Sequence, residues 1–163
     1  PVQVAWTRAE EFFYDSFQPA STVRITSGLD AEGRIHLWDY QVYAAGERAA
    51  EVFYDVPHKR VRVYGQWGGA PPGMHPFGIG PWRAPGANTN RFAGAQQIDI
   101  MAYAAGFDPL EFRLRNTSDE RMLEVLRTLA DASGWESRKE PARTGRNRAL
   151  KPGMPMSGSR SPC

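Results

Sequence analysis

The sequence predicts an α+β fold in which antiparallel strands and a hairpin come first and three helices follow. Three observations carry that expectation. Apolar and polar residues alternate from Thr22 to Leu29 and again from Ile35 to Tyr43, on either side of the turn signal Asp30-Ala31-Glu32-Gly33. From Asn90 onward the period changes, and Phe92, Ala95, Ile98, Ala102 and Ala105 recur at helical spacing. Two helix-start signals then follow, Asp108-Pro109-Leu110-Glu111 and Thr117-Ser118-Asp119-Glu120. Strands first and helices after is the α+β order. A length of 163 residues suits one domain or one large piece of a bigger one.

The elements follow in order. Pro1 to Trp6 alternates and predicts a strand. Thr7 to Tyr14 predicts a short helical turn with Thr7 as its cap. In the hairpin Val23 and Ile25 share one side. Trp38, Tyr40 and Val42 lie opposite to Ile35, Leu37 and Asp39, which predicts a sheet covered on both faces. Arg60 to Tyr64 predicts a further strand, with Val61 and Val63 turned one way. From Gln66 to Pro85 ten of the twenty residues are Gly or Pro, so no regular element occupies it. A loop of that length in a compact protein is usually mobile or a binding loop held by its surroundings. Gly106 ends the first long helix, and Asp108 caps the next with Pro109 in its first position. The last helix is expected to bury Met122, Val125, Leu126 and Leu129 and to stop near Gly134.

Charge divides the chain in two. Residues up to 136 carry 13 basic and 17 acidic groups, a net of −4, whereas 138–160 carry seven basic groups and only Glu140 as an acid. Residues 137–163 thus read as a basic, disordered tail, too poor in large apolar groups to offset the entropy of ordering. The basic run lacks interleaved aromatics, so no nucleic-acid partner is expected. The sole cysteine, Cys163, excludes an internal disulfide and any multi-cysteine metal or iron–sulfur site in this chain. No run is long and apolar enough for a membrane span. Cytoplasm and periplasm both stay open.

The richest stretch for function is Gly78 to Asn116. Glycines at 80 and 86 let main-chain amides approach a ligand, and a helix start follows directly. Arg83 adds a planar donor fork suited to oxygen-rich groups, and Trp82 adds a rigid wall. Such a set suits a flat, polar, anionic cofactor. It also suits a structural role, with Trp82 packed and Arg83 paired to a core carboxylate, and the residues alone leave the two open. His36, His58 and His75 lack metal-ligand spacing. His36 reads as a structural strand histidine, and His75 lies in the loop where it could approach a substrate. Glu10 and Glu11 read as solvent-facing. Asp99 sits among apolar residues and needs a partner, for which Arg113 is a candidate. No Ser-His-Asp, Cys-His, Walker-type or dinucleotide pattern occurs.

Three stretches carry a resemblance: PVQVAWTRAEEF at the start, GLDAEGRIHLWDYQVYAAG in the hairpin, and GPWRAPGANTNRFAG followed by IDIMAYAAGFDPLEFRLRN. With these, residues 1–135 resemble the large, molybdenum-cofactor-binding subunit of the xanthine dehydrogenase and aldehyde oxidase family, most nearly the isoquinoline 1-oxidoreductase type. The resemblance implies that residues 1–136 are part of a larger molybdenum-cofactor-binding domain. It implies cofactor contacts at Gly80, Trp82, Arg83, Ala84 and Gly86, with Pro85 facing the substrate pocket. Members of the xanthine type place an aromatic ring where Pro85 stands, which implies a differently held substrate here. The family pattern has carboxylates where Ala95 and Ile100 stand. The implied activity is oxidation of an aldehyde or N-heterocycle with oxygen taken from water. The implied partners are the remainder of the molybdenum subunit, an iron–sulfur subunit or domain, and a small aromatic or aldehyde substrate. The family's base, a glutamate near the far C-terminal end, has no counterpart here, nor has its long second cofactor-binding region. The chain is therefore expected to be an internal fragment or one product of a split gene, inactive alone, with no catalytic or metal-ligating residue of its own.

Overall fold

A computed structural model describes residues 1–66, 79–80 and 82–137. The tail from 138, Cys163, His75 and most of the Gly/Pro-rich loop before the bend lie outside the described residues. The elements are α1 (Arg8–Tyr14), β1 (Thr22–Leu29), β2 (Ile35–Tyr43), β3 (His58–Tyr64), α2 (Ala87–Ala104), α3 (Pro109–Arg115) and α4 (Glu120–Ser133). They form an α+β arrangement around a three-stranded sheet of order β1-β2-β3. Residues 1–6 are not a strand: they precede α1 as exposed, irregular chain. Their alternating pattern finds no neighbouring strand among the described residues, and pattern alone supplies no ladder hydrogen bonds. The Thr7 turn forms as expected. Its hydroxyl accepts from the Glu10 amide, and the Glu10 carboxylate accepts from the Thr7 amide.

β1 and β2 pair antiparallel, as the hairpin signal requires. Asp30 builds the turn: its carboxylate accepts from the Glu32 and Arg34 amides, and Gly33 takes the left-handed conformation at φ 75°. Gly33 is also pressed against the Phe107 ring, so an added Cβ would lie 2.7 Å from it. β3 joins β2 in parallel rather than antiparallel register, with Tyr40 opposite Val61. A parallel pair needs a crossover. Residues 44–57 provide it without a helix, bringing Ala45, Ala50 and Tyr54 into the core.

The pleat of β2 separates two environments. Trp38, Tyr40 and Val42 are buried, and with Ile98, Met101 and Ala102 of α2 and Phe112 of α3 they make the core. Ile35, beyond the register shift, is buried in the core, whereas from Leu37 onward the opposite face is open, contrary to the expectation of a sheet covered on both sides. There Arg60 and Arg62 of β3 converge on Asp39 at 2.6 and 3.2 Å, and the Tyr43 and Tyr64 rings stack at 4.7 Å. The Arg60 hydrogen bond holds the Asp39 carboxyl below its ordinary range, aided by both guanidinium charges. A face of charged and amphipathic side chains needs no cover, which the two-residue period by itself does not distinguish from a second core face.

Asn116 locks the helices to the sheet. Its side chain accepts from the Ile35 amide at 2.8 Å and donates to the Phe112 carbonyl at 2.8 Å, while its carbonyl accepts from the Asp55 amide. Asp108 caps α3 through the Leu110 and Glu111 amides and also accepts from the Trp135 indole at 3.2 Å. Arg113 reaches Asp99 at 2.6 Å, the partner expected for that carboxylate. Asp119, within the expected signal, caps α4, and Gly134 ends it in left-handed geometry. The burial expected of α4 holds only in part, with Met122 and Leu126 half-buried. None of its residues is buried, and Val125 and Leu129 are 51% and 60% exposed. Its apolar stripe is real, but the described residues offer it too little surface.

Candidate functional site

The bend at 82–86 is built by two left-handed residues flanking one proline. Ala84 has φ 59° and Gly86 φ 65°. A Cβ in that region costs energy, so Gly86 suits the second position and Ala84 is strained at the first. The helix begins directly after the bend. The Ala87 amide donates to Pro85 O at 2.6 Å, the Asn88 amide to Ala84 O at 3.1 Å, and the Asn90 amide to Gly86 O at 2.9 Å. α2 therefore starts at Ala87, within the bend's own hydrogen bonding. Its first turn has no side-chain cap and no acidic residue, so no carboxylate of that turn opposes the positive end of its dipole.

Two anchors fix the bend. On one side the Trp82 indole donates to Ser16 O at 2.9 Å, and the Gly80 amide donates to Phe17 O at 3.0 Å. Gly80 is buried there, and an added Cβ would come within 2.9 Å of Ser16 Cβ. On the other side Asn90, buried in the first turn of α2, accepts from the Tyr40 hydroxyl at 2.8 Å. Its amide donates to Gly46 O and Arg48 O at 3.1 and 2.9 Å. Neither Ser16 nor Asn90 stood out in the sequence.

Four of the six sequence-predicted residues meet in one shallow crevice. Trp82, Arg83, Pro85 and Gly86 line it with Pro19, Ser21 and residues just past the end of β2. Gly80 stands behind at the Phe17 contact, and Ala84 sits exposed at the turn of the bend. Trp82 is not buried: it is 49% exposed, with its indole nitrogen tied back to Ser16. Arg83 is exposed and makes no ion pair among the described residues. No pairing of Arg83 with a core carboxylate is present among the described residues, while Trp82 and Gly80 do serve the structure through Ser16 and Phe17. The bend is open, and its enclosed space takes about one water molecule.

The bend fits an anionic, oxygen-rich group in part. Arg83 offers a guanidinium fork with no carboxylate on it among the described residues, whereas Gly86 is buried at the base of the crevice. The Ala87 and Asn88 amides are engaged within the bend, so the expected amide cradle is narrower than the sequence implies. The other candidates separate from this bend. Glu10 serves the α1 cap, and Glu11 pairs with Arg8. Asp99 is held by Arg113 between α2 and α3. His36 lies exposed on β2 beside His58. No group of three or more metal-ligating side chains occurs among the described residues, and no described helix is long and apolar enough to cross a membrane.

No protein-family model matches the chain. The chain is similar to a nicotinate dehydrogenase subunit of Pseudomonas putida, at 28% identity over 169 residues. That match takes in 88% of this chain and 14% of the relative, so the chain spans about a seventh of the length of the protein it matches.

Proposed function

We propose that this chain supplies the Trp82–Gly86 bend as one wall of the cofactor pocket of a molybdenum hydroxylase of the xanthine dehydrogenase and aldehyde oxidase type. The observation that carries the reading is the open bend itself, with an exposed Arg83 beside a helix start whose first turn holds no acid. The similarity to a dehydrogenase subunit supports it. In this reading Arg83 binds anionic oxygens of a molybdenum–pterin cofactor, and Gly86 lets the main chain come close. Trp82 orients the bend through its hold on Ser16. Gly80 and Ala84 shape the backbone, and Pro85 faces the substrate, an aldehyde or N-heterocycle as in the isoquinoline 1-oxidoreductase type. When bound, the cofactor supplies two-electron oxidation with oxygen from water. In this reading the chain's residues bind and orient, and none of them acts as acid or base or ligates the molybdenum.

The other walls come from the remainder of a molybdenum subunit, and electrons leave through iron–sulfur clusters in a partner. A second reading, an assembly piece without activity of its own, is favoured by the exposed apolar stripe of α4. One measurement separates the two. In the assembled enzyme Arg83→Ala is expected to lower molybdenum and pterin content per subunit, or turnover, by about tenfold, the scale of losing one charge-assisted contact. Unchanged occupancy and turnover would remove Arg83 from the site and leave the assembly reading.

A further inference from the structure

The parallel pairing of β2 and β3 brings together two imidazoles that stand far apart in the sequence. His36 lies at the start of β2, beside the register shift against β1 at Gly28 and Leu29. His58 opens β3 opposite Leu37. Their ring centroids are 4.7 Å apart, and the planes are inclined at 72°. Both residues are exposed, and among the described residues no hydrogen bond or ion pair engages either ring.

We propose that His36 and His58 form a surface site for a divalent late first-row metal ion, each imidazole giving one nitrogen and water completing the shell. Imidazole is a good ligand for zinc, nickel and copper. Metal–nitrogen bonds of about 2.0–2.1 Å at a near-right angle put two ring centroids roughly 5 Å apart, the spacing found here. The ladder fixes His58 opposite Leu37, and His36 is the residue next to Leu37 on β2, just outside the paired register. The surrounding charge permits a cation. Arg60 is held by Asp39 at 2.6 Å, and Lys59 faces Glu51 at 3.9 Å, so carboxylates answer both neighbouring cations. With two protein ligands the ion keeps open positions, which makes binding reversible and leaves room for an exogenous ligand. This site is independent of the bend at 82–86.

The test uses the full chain carrying Cys163→Ser, which removes its one thiol, with zinc ion alone as the probe. Zinc is expected to raise the thermal midpoint with dose and to perturb the imidazole NMR signals of two histidines. His36→Gln and His58→Gln are each expected to weaken binding by at least about tenfold, since loss of mere outer-shell support already costs about 10–100-fold. His75→Gln is expected to leave binding intact. Both altered positions are exposed, so the variants keep the fold, and the remaining imidazole signals report it. No zinc response at millimolar ion, a response that survives the double variant, or one that depends on His75 alone overturns the proposal.

Discussion

Asn90 and Tyr40 hold the helix end of the bend in place. Tyr40 is 1% exposed, and its hydroxyl donates to Asn90 Oδ1. The Asn90 amide then holds the carbonyls of Gly46 and Arg48, so one side chain joins the first turn of α2 to the chain leaving β2. Burial pushes the Tyr40 phenol up to about 12, against an ordinary value near 10. The raised value means that the folded state holds this proton more tightly than the unfolded state. The associated stability is complete below pH 10 and is lost as pH rises toward 12. Tyr40→Phe leaves the buried Asn90 oxygen without its donor and is expected to cost about 1–3 kcal/mol. Urea unfolding at neutral pH measures that cost. Repeated between pH 10 and 12, it is expected to show a shallower alkaline loss in the variant, with the remainder owed partly to Tyr54, whose phenol burial also raises. An unchanged alkaline slope would place the titration elsewhere.

The two longer helices show what periodicity does and does not disclose. In α2 the buried face is Asn90, Ile98, Met101 and Ala102, while Phe92 is 68% exposed. The predicted stripe of Phe92, Ala95, Ile98, Ala102 and Ala105 had the right period and a face turned too far toward Phe92. In α4 the period and the closing Gly134 were legible, yet Val125 and Leu129 face outward while Met122 and Leu126 are half-buried. Local signals such as Thr7, Asp30 and Asp108 are read correctly because their partners lie within a few residues. Which face a stripe meets, and whether β3 joins in parallel, depend on residues far along the chain. The bend was legible as a Gly/Pro-rich turn before a helix start, but its anchors Ser16 and Asn90 were not, since a backbone carbonyl and a cross-element amide leave little trace in sequence. The contrast predicts unequal costs. Ile98→Ala is expected to cost about 2–5 kcal/mol as a core truncation. Val125→Ser with Leu129→Ser is expected to stay within about 0.5 kcal/mol per site. Thermal unfolding of the isolated chain measures both, and a large cost for the α4 pair would mean that this face is covered within the chain.

At the scale of the molecule, apolar surface lies outward on several elements. Val125 and Leu129 on α4, Phe92, Ile100 and Tyr103 on α2, and Phe12 and Phe13 on α1 are all more than half exposed. Beside α4 lie two recesses of about 230 and 430 Å³, the first lined by Tyr54, Ile98, Met122 and Leu126 and the second by Leu110, Leu129 and Trp135. Surface of this kind marks interaction sites in folded proteins. The bend repeats the theme, being one open wall with an exposed arginine. A pterin-sized group buries most of its surface in its site, and this wall encloses about one water. Retention of such a cofactor therefore depends on walls from other polypeptide, and the chain purified alone is expected to carry no molybdenum above buffer and to show no dehydrogenase activity. Elemental analysis of a one-chain preparation decides it. Stoichiometric molybdenum in that preparation would mean that these residues close a complete pocket by themselves, and the division of the site between this chain and a partner would fall.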